Sequence, residues 1–145
     1  MKEETKEMDL NGAKTKLRLI FIEKNDRPYL KKLYENWKTL NKGMKDFKSR
    51  GINLPEGISE NAFCLDFNNN CARVIKASKG SSSFDVLDLK TNKRIQIKAT
   101  SVDNELTSFG PKSVWDELYL LDFFREGNFD GSFDVYLIPN ELIYN

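Results

Sequence analysis

The segment from Phe84 to Ser101 constrains the fold more than any other. It reads FDVLDLK, then TN, then KRIQIKATS: two alternating apolar and polar runs joined by turn-forming residues, the pattern of a β-hairpin. With Thr91 and Asn92 as the turn, or Lys90 to Lys93 as a symmetric four-residue turn, Asp85 stands opposite Lys98. Strand alternation then gathers Asp85, Leu87, Gln96 and Lys98 on one face. Phe84, Val86, Ile95, Ile97 and Ala99 lie on the other, apolar face.

Around this hairpin the chain reads as an α/β (α+β) protein, a central mixed β-sheet with flanking helices. Residues 1–12 carry charge without apolar period and are expected to form a disordered, solvated tail. KTKLRLIFIE, from Lys14, suits either a short strand or the first turns of a helix. Pro28 opens a helix in which Tyr29, Leu30, Leu33, Tyr34, Trp37 and Leu40 recur at helical spacing until Gly43 interrupts. In GINLPEGISENAFCLDFNNN, Ser59 is placed to cap a short helix with Glu60 in its first turn, ended by the Asn run. VWDELYLLDFF and SFDVYLIPNELI read as two further strands around a Gly- and Asp-bearing turn. With 145 residues, residues 13–145 make one domain. The ending on Leu142, Ile143 and Tyr144 without a terminal cap suggests a chain that stops short of its natural end.

Composition acts mainly by exclusion. There is no histidine, which removes histidine-based metal hydrolases and Ser or Cys triads with a His base. The 23 basic and 22 acidic side chains nearly cancel, so any polyanion argument must rest on local clusters. Cys64 and Cys71 lack the paired spacing of a zinc site or redox dithiol and read as reduced structural thiols. No apolar run is long enough to span a bilayer and no signal-peptide core is present, so a cytoplasmic protein is expected.

The hairpin's polar face has a specific chemical content. Direct cross-strand neighbours lie roughly 5 Å apart and diagonal ones roughly 7–8 Å, so Asp85 and Gln96 can reach one ion and Lys98 the adjacent water. Mg²⁺ takes oxygen ligands: the Asp85 carboxylate, the Gln96 amide oxygen and the main-chain carbonyl of Ile97 are available. A lysine beside them can orient or deprotonate water and stabilise developing negative charge. The same pattern also suits a chemically silent hairpin in which Asp85 and Lys98 form an exposed ion pair of little value.

FDV followed by IQIK resembles the PD-(D/E)XK nuclease superfamily. The wider run GSSSFDVLDLKTNKRIQIKATSVDNELTSFGPKSVWDELYLLDF is similar to small type II restriction endonucleases that cut GCNGC. The resemblance implies a restriction-endonuclease-like fold and Mg²⁺-dependent cleavage of double-stranded DNA, with Mn²⁺ able to substitute. It implies catalytic roles for Asp85, Gln96 and Lys98, and a helix carboxylate in ISENAF, at Glu60, that joins the metal ligands. Phe84 stands where the motif name has Pro, and Gln96 replaces the second acidic residue, so Glu60 or Glu117 is expected to supply the missing charge. As plain structure, Glu60 is a solvated helix residue and Glu117 part of a half-buried strand's alternation.

A phosphate-contacting rim can be drawn from Lys76, Lys79, Ser81, Ser82 and Ser83 before the hairpin and from Thr100, Ser101, Thr107, Ser108, Lys112 and Ser113 after it. The loop SVDNELTSFGPKS, with Asn104, Ser108, Lys112 and Ser113, is the natural candidate for reading bases. Palindromic sites imply a homodimer, and a restriction system implies a cognate DNA methyltransferase. Two relatives of this reading stay open: a DNA-binding module with a degraded centre, encouraged by Gln96, and a DNA-repair nuclease with the same core. A third, an interaction protein with aromatic strands packed on a partner, predicts a large exposed apolar patch.

Overall fold

The order of the strands follows the order of the chain. The computed structural model describes residues 1–10, 12–77, 84–100, 115–123 and 132–139. They build one seven-stranded sheet: β1 (Lys2–Leu10), β2 (Ala13–Phe21), β3 (Cys71–Ala77), β4 (Val86–Asp88), β5 (Arg94–Thr100), β6 (Glu117–Asp122) and β7 (Asp134–Ile138). Neighbours are antiparallel except β5 and β6, which run parallel. The sheet is therefore mixed, as expected.

Residues 1–12, expected as a tail, instead supply β1. Its apolar partners come from the other strand: Lys2, Glu4 and Lys6 lie opposite Phe21, Leu19 and Leu17. Leu10 pairs with Ala13, and Gly12 before Ala13 has φ 82°, a conformation glycine adopts without steric cost. The amino terminus is tied down by ion pairs to Glu23 (2.8 Å) and Asp26 (2.9 Å). The choice left open over Lys14–Glu23 resolves to strand.

Both faces of the sheet are covered. Val86, Ile95, Ile97, Leu121 and Phe123 pack with Tyr34, Trp37, Ile58 and Phe63 in one cluster; Leu17, Leu19, Ala72, Phe84 and Leu87 form a second. Consecutive Val86 and Leu87 fall in different clusters because strand side chains alternate. Leu87, expected on a polar face, is fully buried.

Helix α1 (Arg27–Asp46) carries Pro28 in its first turn and buries Tyr34, Trp37 and Asn41. Gly43 does not end it; one glycine inside a helix costs about 1 kcal/mol, and the helix runs three residues further. Asn41 Oδ1 accepts the Ile52 N–H (2.8 Å) and Trp37 Nε1 donates to the Ile52 carbonyl (2.9 Å), fastening the segment before the second helix to α1. Helix α2 (Glu56–Ala62) begins after Pro55, not at Ser59, which sits inside the helix and donates from Oγ to the Glu56 carbonyl (3.4 Å). It continues as a wide π turn over Phe63–Phe67 and stops at Asn68. Among the described residues no helix is long and apolar enough to cross a membrane.

Candidate active site

The hairpin turn is centred one residue earlier than expected. Asp88 Oδ1 accepts the N–H groups of Lys90 (2.8 Å) and Thr91 (3.2 Å), the Asp88 N–H donates to the Lys93 carbonyl (3.0 Å), and Asn92 takes φ 60°. The turn therefore occupies Leu89 to Asn92, and Val86 faces Ile95 while Leu87 faces Arg94. The strand register moves by two, which preserves the side of every paired residue but takes Lys98 away from the position opposite Asp85.

The β4–β5 ladder ends at Val86 and Ile95, and Asp85 occupies the fork. Its N–H donates to the Ile95 carbonyl (3.0 Å), so Asp85 and Val86 both face Ile95, the arrangement of a β-bulge. The alternation breaks there, and Phe84 joins the second cluster instead of sharing the face of Val86. Asp85 Oδ2 accepts the Ile97 N–H (3.0 Å), which no longer has a β4 backbone partner.

A cleft of about 210 Å³ opens at this fork, lined by Asp85, Gln96, Ile97, Lys98 and Ala99 on one wall and Asn53, Leu54, Glu56 and Ser59 on the other. Three expected residues, Asp85, Gln96 and Lys98, are thus brought together. Gln96 Oε1 is buried and, among the described residues, has no hydrogen-bond partner. Burial pushes the Asp85 carboxyl above its usual range; the Ile97 N–H opposes this, Glu56 adds to it, and Lys98 and Arg73 oppose it.

Glu60 is not part of the cleft lining. It is buried, with Oε1 3.1 Å from Arg73 Nε. Burial, followed by the charge of Asp85, pushes its carboxyl up to about 8, against the pull of Arg73. Glu117 lies at the other end of β5, opposite Ile95, where it pairs with Lys93 (3.3 Å) and accepts from the Tyr119 hydroxyl (3.1 Å). Lys76 belongs to β3, its backbone opposite Arg18. Lys79, Ser81, Ser82, Ser83, Ser101, Asn104, Thr107, Ser108, Lys112 and Ser113 lie outside the described residues.

Sequence reasoning missed Glu56, Ser59 and Asn53 on the facing wall and Arg73 as the partner of Glu60. Pro55 followed by Glu56 was the available signal, since Pro and an acidic residue favour a helix start. Among the described residues no group of three or more His, Cys, Asp or Glu side chains is arranged to hold a metal ion. A cation here depends on the amide oxygen of Gln96 and main-chain oxygen as well as carboxylates, a donor set suited to a hard ion. Cys64 and Cys71 are buried free thiols in the core, both pushed upward by burial.

No solved structure matches the chain. A curated relative, "Type II restriction enzyme Bsp6I" from Bacillus sp. (strain RFL6), is 40% identical over 91 residues, which is 62% of this chain and 48% of the relative. The match thus spans about half the relative's length. The family model described as Bsp6I restriction endonuclease matches residues 22–145, which takes in α1, α2, β3 to β7 and every residue of the cleft. The chain belongs to the Bsp6I restriction endonuclease family.

Proposed function

We propose that this chain acts as a Mg²⁺-dependent type II restriction endonuclease that hydrolyses double-stranded DNA at a short palindromic site, GCNGC. The observation that carries the reading is the buried, unpartnered Gln96 Oε1, which shares one cleft with the Asp85 carboxylate and Lys98. The type II restriction activity in the name of the relative supports it.

When bound, a hard divalent cation offsets charge building on the phosphate and lowers the pKa of water. Asp85 would hold it through Oδ1, since Oδ2 is engaged by the Ile97 N–H, and Gln96 through Oε1. In a paired strand residue the N–H and C=O point toward the same neighbour, which directs the Ile97 carbonyl to the Asp85 side. Lys98 orients the attacking water, takes up its proton and stabilises the negative charge that develops. Mn²⁺ substitutes because the donors are oxygens. The enzyme works as a cytoplasmic homodimer, each protomer cutting one strand of the palindrome, beside a methyltransferase that protects the same site in host DNA.

Gln96, a neutral residue in an acidic position, favours a second reading: a module that binds DNA without cutting it. One experiment separates the two. The chain is incubated with mixed-sequence duplex DNA with and without Mg²⁺, beside Asp85→Ala and Lys98→Ala variants shown by circular dichroism to be folded. Discrete metal-dependent fragments, lost in both variants, are expected. Binding without cleavage by the unaltered chain overturns the endonuclease reading, and metal-dependent cutting at no fixed sequence points to the repair nuclease instead.

A further inference from the structure

Two carboxylates on α2 lie one turn apart, Glu56 and Glu60, so both project from the same side of the helix. The superfamily resemblance placed the metal-binding helix carboxylate at Glu60. We propose that Glu56 is the helix carboxylate that faces the cation, and that Glu60 is a positioning residue that holds Arg73 beside Asp85. This inference rests on the cation reading given above.

The two side chains have opposite surroundings. Glu56 lines the cleft with Asp85, Gln96 and Lys98; Glu60 does not. Glu60 is 5% exposed and already partnered by Arg73, itself only 22% exposed in its side chain. Glu56 is exposed, and among the described residues its carboxylate has no hydrogen-bond or ion-pair partner. Detaching Glu60 toward a cation would leave the half-buried Arg73 guanidinium without that partner, which is unfavourable. Turning Glu56 to a cation breaks nothing.

Charge bookkeeping points the same way. With Gln96 neutral, Asp85 is the single anionic group on the β5 wall of the cleft, whereas divalent-cation sites ordinarily combine carboxylates with neutral oxygens. Glu56 brings the second negative charge from the facing wall. The independent sign that an electropositive group belongs between the walls is Gln96 Oε1, buried there without a donor. Arg73 acts on Asp85 from outside the cleft lining: it stands opposite Val86 across β3 and β4, and its charge favours the ionised Asp85. Glu60 fixes that guanidinium at 3.1 Å.

The test uses Mn²⁺ binding to the full chain without DNA, read from the electron paramagnetic resonance signal of free Mn²⁺, so no cleavage is needed. Wild type, Asp85→Asn, Glu56→Gln and Glu60→Gln are compared, each checked for folding by circular dichroism. Glu56→Gln is expected to weaken Mn²⁺ at least about 10-fold, as Asp85→Asn does, while Glu60→Gln, whose amide oxygen still accepts from Arg73 Nε and so keeps the guanidinium in place, stays within about 3-fold of wild type. Restoration of most of the affinity by Glu56→Asp completes the expected result. Loss with Glu60→Gln but not Glu56→Gln returns the helix carboxylate to Glu60 and overturns the inference while leaving the cation reading intact. Wild-type affinity in Asp85→Asn removes the cation from this cleft and overturns both.

Discussion

Asp85 takes the Ile97 N–H on Oδ2 at 3.0 Å where the β4–β5 backbone ladder gives out. One carboxylate therefore closes the fork in the sheet and presents its other oxygen to the cleft. The two roles separate by substitution. Asp85→Asn keeps an oxygen acceptor and is expected to unfold within about 1 kcal/mol of wild type, whereas Asp85→Ala orphans the Ile97 amide and loses about 1–3 kcal/mol. Amide hydrogen exchange checks this: Ile97 protection falls in the Ala variant and persists in Asn. Cleavage is lost in both. Equal exchange at Ile97 in the two variants would refute the structural role.

Glu60 sets a pH dependence of the opposite kind to an ordinary surface carboxylate. Its folded value, about 8, lies above the ordinary glutamate value of 4.5, so the folded chain holds the proton more tightly than the unfolded chain. The contribution of Glu60 to stability is therefore most favourable below about pH 4.5, falls as pH rises, and levels off above about 8. Glu60→Gln removes that slope. The variant is expected to match wild type near about pH 5 and to exceed it by on the order of a few kcal/mol near about pH 8.5. Urea unfolding at the two pH values measures the difference; equal curves at both would mean that the Arg73 pair keeps Glu60 ionised throughout.

Asp88 has the reverse sign. Burial works to raise its carboxyl, but hydrogen bonds from Asn68 Nδ2 (3.1 Å) and the Lys90 and Thr91 amides outweigh it and hold the group below its usual range. Its stabilisation is present above the ordinary carboxylate range, about 4, and is lost as pH falls through the lower folded value. Asp88→Ala removes all three bonds and is expected to cost about 2–3 kcal/mol at neutral pH. It also flattens the acid limb of the thermal unfolding profile, and scanning calorimetry across the acid range reads both effects. An unchanged acid limb would show that other carboxylates dominate it.

That same aspartate explains much of what the sequence concealed. Period-two alternation made the hairpin legible and grouped Asp85, Gln96 and Lys98, but nothing in a tally of turn formers says that the Asp88 side chain will capture two amides and start the turn at Leu89. The bulge at Asp85 is equally invisible, because it depends on how the chain before β4 pairs with β3 on one side and β5 on the other. β1 carried a signal that was passed over: Asn11–Gly12 between two runs is the commonest two-residue hairpin connection. Its charged side chains hid it, since the apolar face belongs to Leu17, Leu19 and Phe21 of the partner strand. Glu56 went unnoticed because a helix begun at Ser59 leaves it outside. Pairings such as Glu60 with Arg73 join positions thirteen residues apart, and no local pattern specifies them.

The wall of the cleft opposite β5 depends on a glycine outside the site. A Cβ at Gly51 would sit 2.8 Å from Asn41 Oδ1 and 2.9 Å from the Lys45 Cε. The Lys45 side chain is long and can swing away, but Asn41 is buried and its Oδ1 holds the Ile52 N–H at 2.8 Å. Gly51→Ala must therefore displace the acceptor that holds the Ile52 N–H to α1, while Trp37 Nε1 still donates to the Ile52 carbonyl. The expected cost is about 1–3 kcal/mol. Because Asn53 and Leu54 follow directly and line the cleft, cleavage should fall further than the lost stability explains at a temperature where the variant stays folded. Gly51→Ala combined with Asn41→Ala tests the cause: the double variant is expected to be no less stable than Asn41→Ala alone, since the clash and the bond it breaks share the same oxygen. Additive losses would place the effect of Gly51 elsewhere in the backbone.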